Sequence, residues 1–384
     1  MKLFRRVWKS VCVLLIGIGL TVTIGLRVVS GIGTSLYLPL IVNVPLASDE
    51  GLAAKNVILV IGDGMGFDHV KAGGLYANGT AGSLSFENFP CRAEMTTTSL
   101  SGVTDSAAAA TAMATGTKVT NGVLSLAERG DGHELRTILE YARDQGRSTG
   151  LVTTTTMTDA TPAAFGAHVL DRYWWDEVAS DYLNGSRPNV LLGGGSEGMA
   201  VAAAQAVGYT VVTDRVGLLG LDPEQQTYVS GQFGENDLPF EVDGLGAMPH
   251  LSELTRVALQ VLDNDPDGFF LMVEGGKVDK AAHDGETLRV VGEMKEMSKA
   301  VDEILLWAAG RTDTVVMVLA DHETGQLQVV SGNGAGQVPN VIWATTSHNS
   351  DPVPVYLYGL SCDVLAPVID NTQVPGILSG GQFP

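Results

Sequence analysis

Four short runs of β-branched and aliphatic residues limit how this chain can fold: Asn56–Ile61, Gly150–Thr155, Gly268–Val273 and Thr314–Leu319. None alternates apolar with charged residues, as a strand with one wet face would. Each therefore reads as a strand covered on both faces, the mark of a buried parallel sheet. Between the runs, apolar residues recur at helical spacing. One such segment, Glu134 to Asp144, stops at Gly146; another, Ser252 to Asn264, stops before Pro266; a third, Thr287 to Ala309, stops at Gly310. The expected fold class is α/β, a three-layer sandwich with a central, mostly parallel β-sheet flanked by helices on both faces. No repeat or low-complexity block interrupts the pattern, so residues 51–384 read as one domain.

Composition narrows the partners. The chain has 384 residues, 45% of them hydrophobic, enough for a large core. Its 43 acidic against 23 basic residues give a formal charge of −20, which argues against nucleic acid as a partner. An anionic substrate is still compatible, because metal ions and one arginine can reverse the field within a cleft. The N-terminus carries Lys2, Arg5, Arg6 and Lys9 before an apolar stretch from Val11 to Leu26, the pattern of an export segment. Residues 1–30 are read as a signal peptide or a retained signal anchor, and 31–50 as a linker. The mature protein is thus expected outside the cytoplasm: periplasmic, membrane-anchored or extracellular. Cys91 and Cys362 remain once Cys12 is assigned to the export segment, and two buried free thiols are the expectation, although that compartment permits a disulfide.

In open α/β sheets, ligands bind outside the carboxyl ends of the strands. Those ends carry metal-type residues here. Asp63 follows the first run, Asp159 the second, Glu274 the third, and Asp321-His322 the fourth. Asp279 and His283 lie four apart and share a face if their segment is helical, and His348 is a loop histidine before an apolar run. Each alone is explained by turns or surface hydrogen bonds, but together they point to a polynuclear metal site. Thr104-Asp105-Ser106 opens an alanine run closed by Gly116. A serine there is either a helix cap or a nucleophile at a helix mouth, where unpaired amides favour phosphate.

The motifs Asn56–Gly66, Thr104-Asp105-Ser106-Ala107, Asp159–Ala164, Val273-Glu274-Gly275 and Ala320–Gly325, followed by the isolated His348, occur in an order that resembles the alkaline phosphatase family. The resemblance runs over residues 51 to 362 and makes 51–384 the catalytic domain. It implies a phosphomonoester hydrolase with two zinc ions and one magnesium ion per chain, acting through a phosphoserine at alkaline pH. Ser106 matches the nucleophile. Asp63, Asp321 and His322 match the ligands of the zinc that activates it, and Asp279, His283 and His348 those of a second zinc at the leaving-group oxygen. Asp63, Thr161 and Glu274 match the ligands of the third ion. Asp159 and Lys280 match the subgroup that favours magnesium there, and Lys280 could also reach phosphate through water. Arg172 matches the arginine that clamps two phosphate oxygens, a task suited to its planar fork. The resemblance also implies a homodimer.

Two departures qualify the likeness. Only 25 residues, 323 to 347, separate His322 from His348, where larger relatives insert a surface subdomain. Asn349 stands where relatives usually have a small residue. The competing readings are a phosphodiesterase or sulfatase of the same superfamily, and a non-catalytic surface protein that binds metal or phosphate.

Overall fold

The computed structural model describes residues 54–127 and 132–383. The expected export segment 1–30 and linker 31–50 lie outside them. Among the described residues, no helix is long and apolar enough to cross a membrane.

A ten-stranded sheet forms the middle layer. Across it the strands run Val368–Asp370, Cys91–Thr96, Val353–Tyr358, Thr314–Ala320, Asn56–Gly62, Phe269–Gly275, Ser148–Thr156, Val190–Gly194, Val229–Gln232 and Thr210–Val212. The four apolar runs are the four central, mutually parallel strands. Val353–Tyr358 is antiparallel to both its neighbours. Every residue of the three strands Asn56–Gly62, Phe269–Gly275 and Thr314–Ala320 is buried, as their unbroken apolar sequence requires.

Helices cover both faces. Leu251–Leu262 and Phe67–Asn78 pack against the long helix Thr287–Ala308. The helices Ser106–Thr115, Ile138–Asp144 and Ala160–Gly166 form a second group, packed on one another. The three-layer expectation is met, and the largest shift of a helix boundary is four residues. The helix expected from Glu134 begins at Ile138, because Thr137 accepts from the Glu140 amide and Glu140 bonds back to the Thr137 amide, closing a capping box.

The expectation of free thiols is overturned: Cys91 and Cys362 form a disulfide. Antiparallel pairing sets Leu357 opposite Cys91, and the chain turns at Gly359, with φ of +92°, to bring Cys362 back. The two Cα atoms come within 5.2 Å, a separation that suits a disulfide. The bridge closes a loop of sequence separation 271, and pins the edge of the sheet near the C-terminus. Cys362→Ser is expected to lower the unfolding free energy by about 2–5 kcal/mol. Guanidinium unfolding should show a lower midpoint, and an unchanged midpoint would contradict a stabilising bridge.

The helix Thr287–Ala308 buries Glu293 in its inner face, where it accepts from the Glu241 amide at 2.8 Å. Burial, and then nearby Glu241, push its carboxyl from the ordinary 4.5 up to about 8. A raised acid pKa means the folded state favours the protonated form. That contribution is complete below the unfolded pKa and is lost as pH rises through 8. Glu293→Gln is expected to melt higher than the parent at about pH 9.5, with the gap closing near about pH 5. Parallel melting profiles across that range would contradict the assignment.

Candidate active site

Strand register assembles the site. Gly62 pairs with both Gly275 and Ala320, and Ile61 with Glu274. Asp63 and Asp321 therefore leave adjacent strands at one level, with Glu274 two residues earlier on the strand at the other side of Asn56–Gly62. Gly64 has φ of +72°, and a Cβ there would stand 2.9 Å from Asp279 Oδ1 and from Thr324 Oγ1. The glycine thus lets the Asp63 turn press against the second group of acids. Asp321 Oδ1 accepts from the amides of Gly64, at 3.0 Å, and His322, at 2.8 Å. That fixes the carboxylate, with Oδ2 3.2 Å from His322 Nε2. His322 Nε2 also lies 3.5 Å from Asp63 Oδ1 and 3.4 Å from Ser106 Oγ.

Ser106 is the first residue of a helix buried along its whole length. The cap is Asp105, whose Oδ1 accepts from the Ala108 amide at 3.0 Å, so of the two sequence alternatives for Ser106 the capping role falls to its neighbour. The alanines let this helix pack closely against Ala160–Gly166 and hold the serine at His322.

Asp279 and His283 sit one turn apart on Lys277–His283. His348, expected in a loop, lies in a two-residue strand paired with Glu323–Thr324. That pairing carries it to the other two. His283 Nδ1 donates to the Thr346 carbonyl at 2.6 Å and His348 Nδ1 to the Thr104 carbonyl at 2.9 Å. Their Nε2 atoms then face each other at 3.0 Å, with Asp279 oxygens 3.3 and 3.5 Å away. Two imidazole lone pairs meeting beside a carboxylate call for a cation between them. The Asp279 hydrogen bond raises the pKa of His283 to about 9. Burial works to raise Asp279, but bonds from His283 and His348 outweigh it and hold the carboxyl well below its usual range. Thr324 joins the two groups by donating to Asp279 at 2.5 Å while lying 3.2 Å from His322 Nδ1.

Glu274 and Thr161 are each 1% exposed. Glu274 Oε2 accepts from Thr153 Oγ1 and, at 3.4 Å, from Thr155 Oγ1. Burial first, then Asp159 and Asp321, push Glu274 up to about 8. Burial likewise lifts Asp63 far above the carboxylate range, helped by Asp321, Asp279, Glu274 and Asp159. So much buried negative charge is not balanced within the protein. Asp63 Oδ1, Asp321 Oδ2 and Thr161 Oγ1 are buried without a hydrogen-bond partner. Unsatisfied oxygens and outward-tied histidines are the donor set that divalent ions require.

Arg172 and Lys280 supply the positive charge. Arg172 lies 3.0 Å from Asp159 and 3.3 Å from Asp105, and lines, with Ser106, a cleft of about 650 Å³. Asp159 is thus a partner of Arg172 and, at 3.4 Å, of Lys280. Sequence reading missed Asp237, which lies 2.7 Å from Lys280 and 3.4 Å from Lys277 and accepts from the Thr156 amide. It sits in an irregular stretch with no motif, and only the topology brings it here. Thr324 lies within Ala320–Gly325, and its spacing of two from His322 is the sequence signal for its place between the two groups.

Removing metal tests this geometry. Zinc at about a thousand times its Kd should stabilise the stripped protein by about 4 kcal/mol. Its melting temperature should therefore rise on adding zinc and magnesium, and rise much less in Asp321→Asn. An identical melt with and without the ions would contradict a metal site.

A family model for alkaline phosphatase matches residues 54–338. The chain is 30% identical to alkaline phosphatase 3 of Bacillus subtilis (strain 168), over 83% of this chain and 87% of that protein. It is 32% identical to streptomycin-6-phosphate phosphatase of Streptomyces griseus, over 85% and 90%. Among solved structures, alkaline phosphatase from the Antarctic bacterium TAB5 superposes with a TM-score of 0.75 at 27% identity, covering 85% of this chain and 97% of that one. The family model, spanning most of the described residues, and the strand-end acids in the order given above agree: this chain belongs to the alkaline phosphatase family.

Proposed function

We propose that the chain is a metal-dependent phosphomonoesterase in which Ser106 Oγ attacks phosphorus and forms a phosphoserine that water then hydrolyses. The observation that carries this reading is the meeting of Ser106 with His322 at 3.4 Å, in a cleft also lined by Arg172, Asp63 and Asp279. Zinc ions held by Asp63, Asp321 and His322 and by Asp279, His283 and His348, with magnesium near Asp63, Thr161 and Glu274, would stabilise charge on the entering and leaving oxygens. Magnesium is bound in the M3 site of a TAB5 alkaline phosphatase variant, which supports that third assignment.

The protein's own groups do the rest. Ser106 is held rigid by a fully buried helix, so the hydroxyl is aimed before substrate arrives. Arg172, oriented by Asp105 and Asp159, presents two N–H donors to the non-bridging oxygens of a dianion. Lys280 adds charge from the far side of Asp159. Alkaline pH favours the reaction because serine and water are weak nucleophiles until they lose a proton. Export through residues 1–30 is part of the proposal, and the Cys91–Cys362 bridge supports it, since disulfides persist in oxidising compartments. A homodimer belongs to the same reading.

Turnover of p-nitrophenyl phosphate and of its bis ester, with zinc plus magnesium and after chelation, tests the assignment. The monoester is expected to be strongly preferred and its hydrolysis lost on chelation. Equal or faster diester turnover would contradict it in favour of a phosphodiesterase. Ser106→Ala should take up no covalent label from radioactive substrate phosphate, and a persistent label would remove Ser106 from its role.

A further inference from the structure

The cleft around Ser106 has one wall that the chemistry above leaves unused. Val103 reaches it from the loop before the Ser106 helix, and Tyr173 and Trp175 from the residues just after Arg172. Of these, Val103 is 44% and Tyr173 68% exposed, while Trp175 is half-buried. Single surface aromatics need no explanation, but the chain has only five tryptophans, and two stand together here. This rim is also held in place. The Tyr173 amide donates to Asp171 Oδ1 at 3.0 Å and the Arg172 amide to the Gly122 carbonyl at 2.8 Å. Asn121 Nδ2 donates to the Val103 carbonyl at 3.0 Å, so the two loops share one brace at 121–122. The Tyr173 ring centre lies 5.8 Å from the Arg172 guanidinium carbon and 6.2 Å from the Trp175 ring, edge to face.

From this juxtaposition we infer that Tyr173, with Trp175 and Val103, binds the aryl group of a phosphate monoester and makes the enzyme selective for aromatic over aliphatic esters. The inference rests on the phosphomonoesterase reading and names its substrate class. Val103, Tyr173 and Trp175 line the same cleft as Ser106, Arg172, His283 and His348, so the substituent on the leaving oxygen of a phosphoryl group bound there shares its space with these rings. A flat ring stacks there edge to face or offset, while an aliphatic polyol gains little. Asp171, Asp176 and Glu177 adjoin Tyr173 and Trp175 in the chain and disfavour a substituent with further negative charge. The ligand class is therefore a phosphate monoester whose aryl group carries no further negative charge.

The test uses the full chain loaded with zinc and magnesium. The quantity read is the ratio of kcat/KM for 1-naphthyl phosphate to that for glycerol 2-phosphate. Tyr173→Ala should lower this ratio about tenfold, Trp175→Ala should lower it in the same direction, and Tyr173→Phe should keep it within about twofold of the parent. Leaving-group reactivity cancels when variant and parent are compared. A ratio unaltered in both alanine variants would overturn the inference while leaving the phosphatase reading intact. Loss of the ratio in Tyr173→Phe would assign the effect to the hydroxyl and overturn stacking. A parent enzyme that hydrolyses neither ester would overturn both readings.

Discussion

The concentration of buried negative charge at the carboxyl edge of the sheet governs the rest of this structure. Three parallel strands kept in step, Asn56–Gly62, Phe269–Gly275 and Thr314–Ala320, deliver Asp63, Glu274 and Asp321 to one spot. Carboxylates so placed repel one another and lose their hydration, and no set of hydrogen bonds available here repays both costs. Burial and this repulsion raise the pKa of both Asp63 and Glu274 well above the ordinary carboxylate value. A fold that keeps this arrangement keeps it for cations, which would turn the greatest liability of the site into its source of electrostatic catalysis.

The same constraint explains the scaffold around the site. A charged cluster can be kept in register only if its supports do not yield. The Ser106 helix is buried along its length and packed through small side chains, the glycine at 64 lets two acid-bearing segments touch, and Thr324 ties the histidine of one group to the aspartate of the other. Close packing transmits position, so the serine, three histidines and the arginine are set by elements distant in sequence. Selectivity can then reside at the rim, where Tyr173 and Trp175 are free of these demands.

Much of this was legible in the sequence, for reasons that can be given residue by residue. The four apolar runs announced the central strands because burial on both faces leaves no polar alternation to confuse the period. The strand-end acids announced the site because the carboxyl edge of a parallel sheet is where ligands bind. What stayed hidden depended on contacts between remote segments. Cys91 and Cys362 look like ordinary buried thiols until the antiparallel strand Val353–Tyr358 sets them side by side. Asp237 carries no local pattern, and its role exists only because Lys280 folds over it. Ser106 reads as either cap or nucleophile from sequence because serine caps helices, and the backbone shows that its neighbour Asp105 is the cap.

The most direct test of the central claim is diffraction at the zinc absorption edge from crystals of the zinc-loaded protein. The account predicts two anomalous peaks, one about 2.0–2.2 Å from donor atoms of Asp63, Asp321 and His322, the other at the same range from Asp279, His283 and His348. Absence of density at both positions, or zinc bound only elsewhere on the acidic surface, would contradict it.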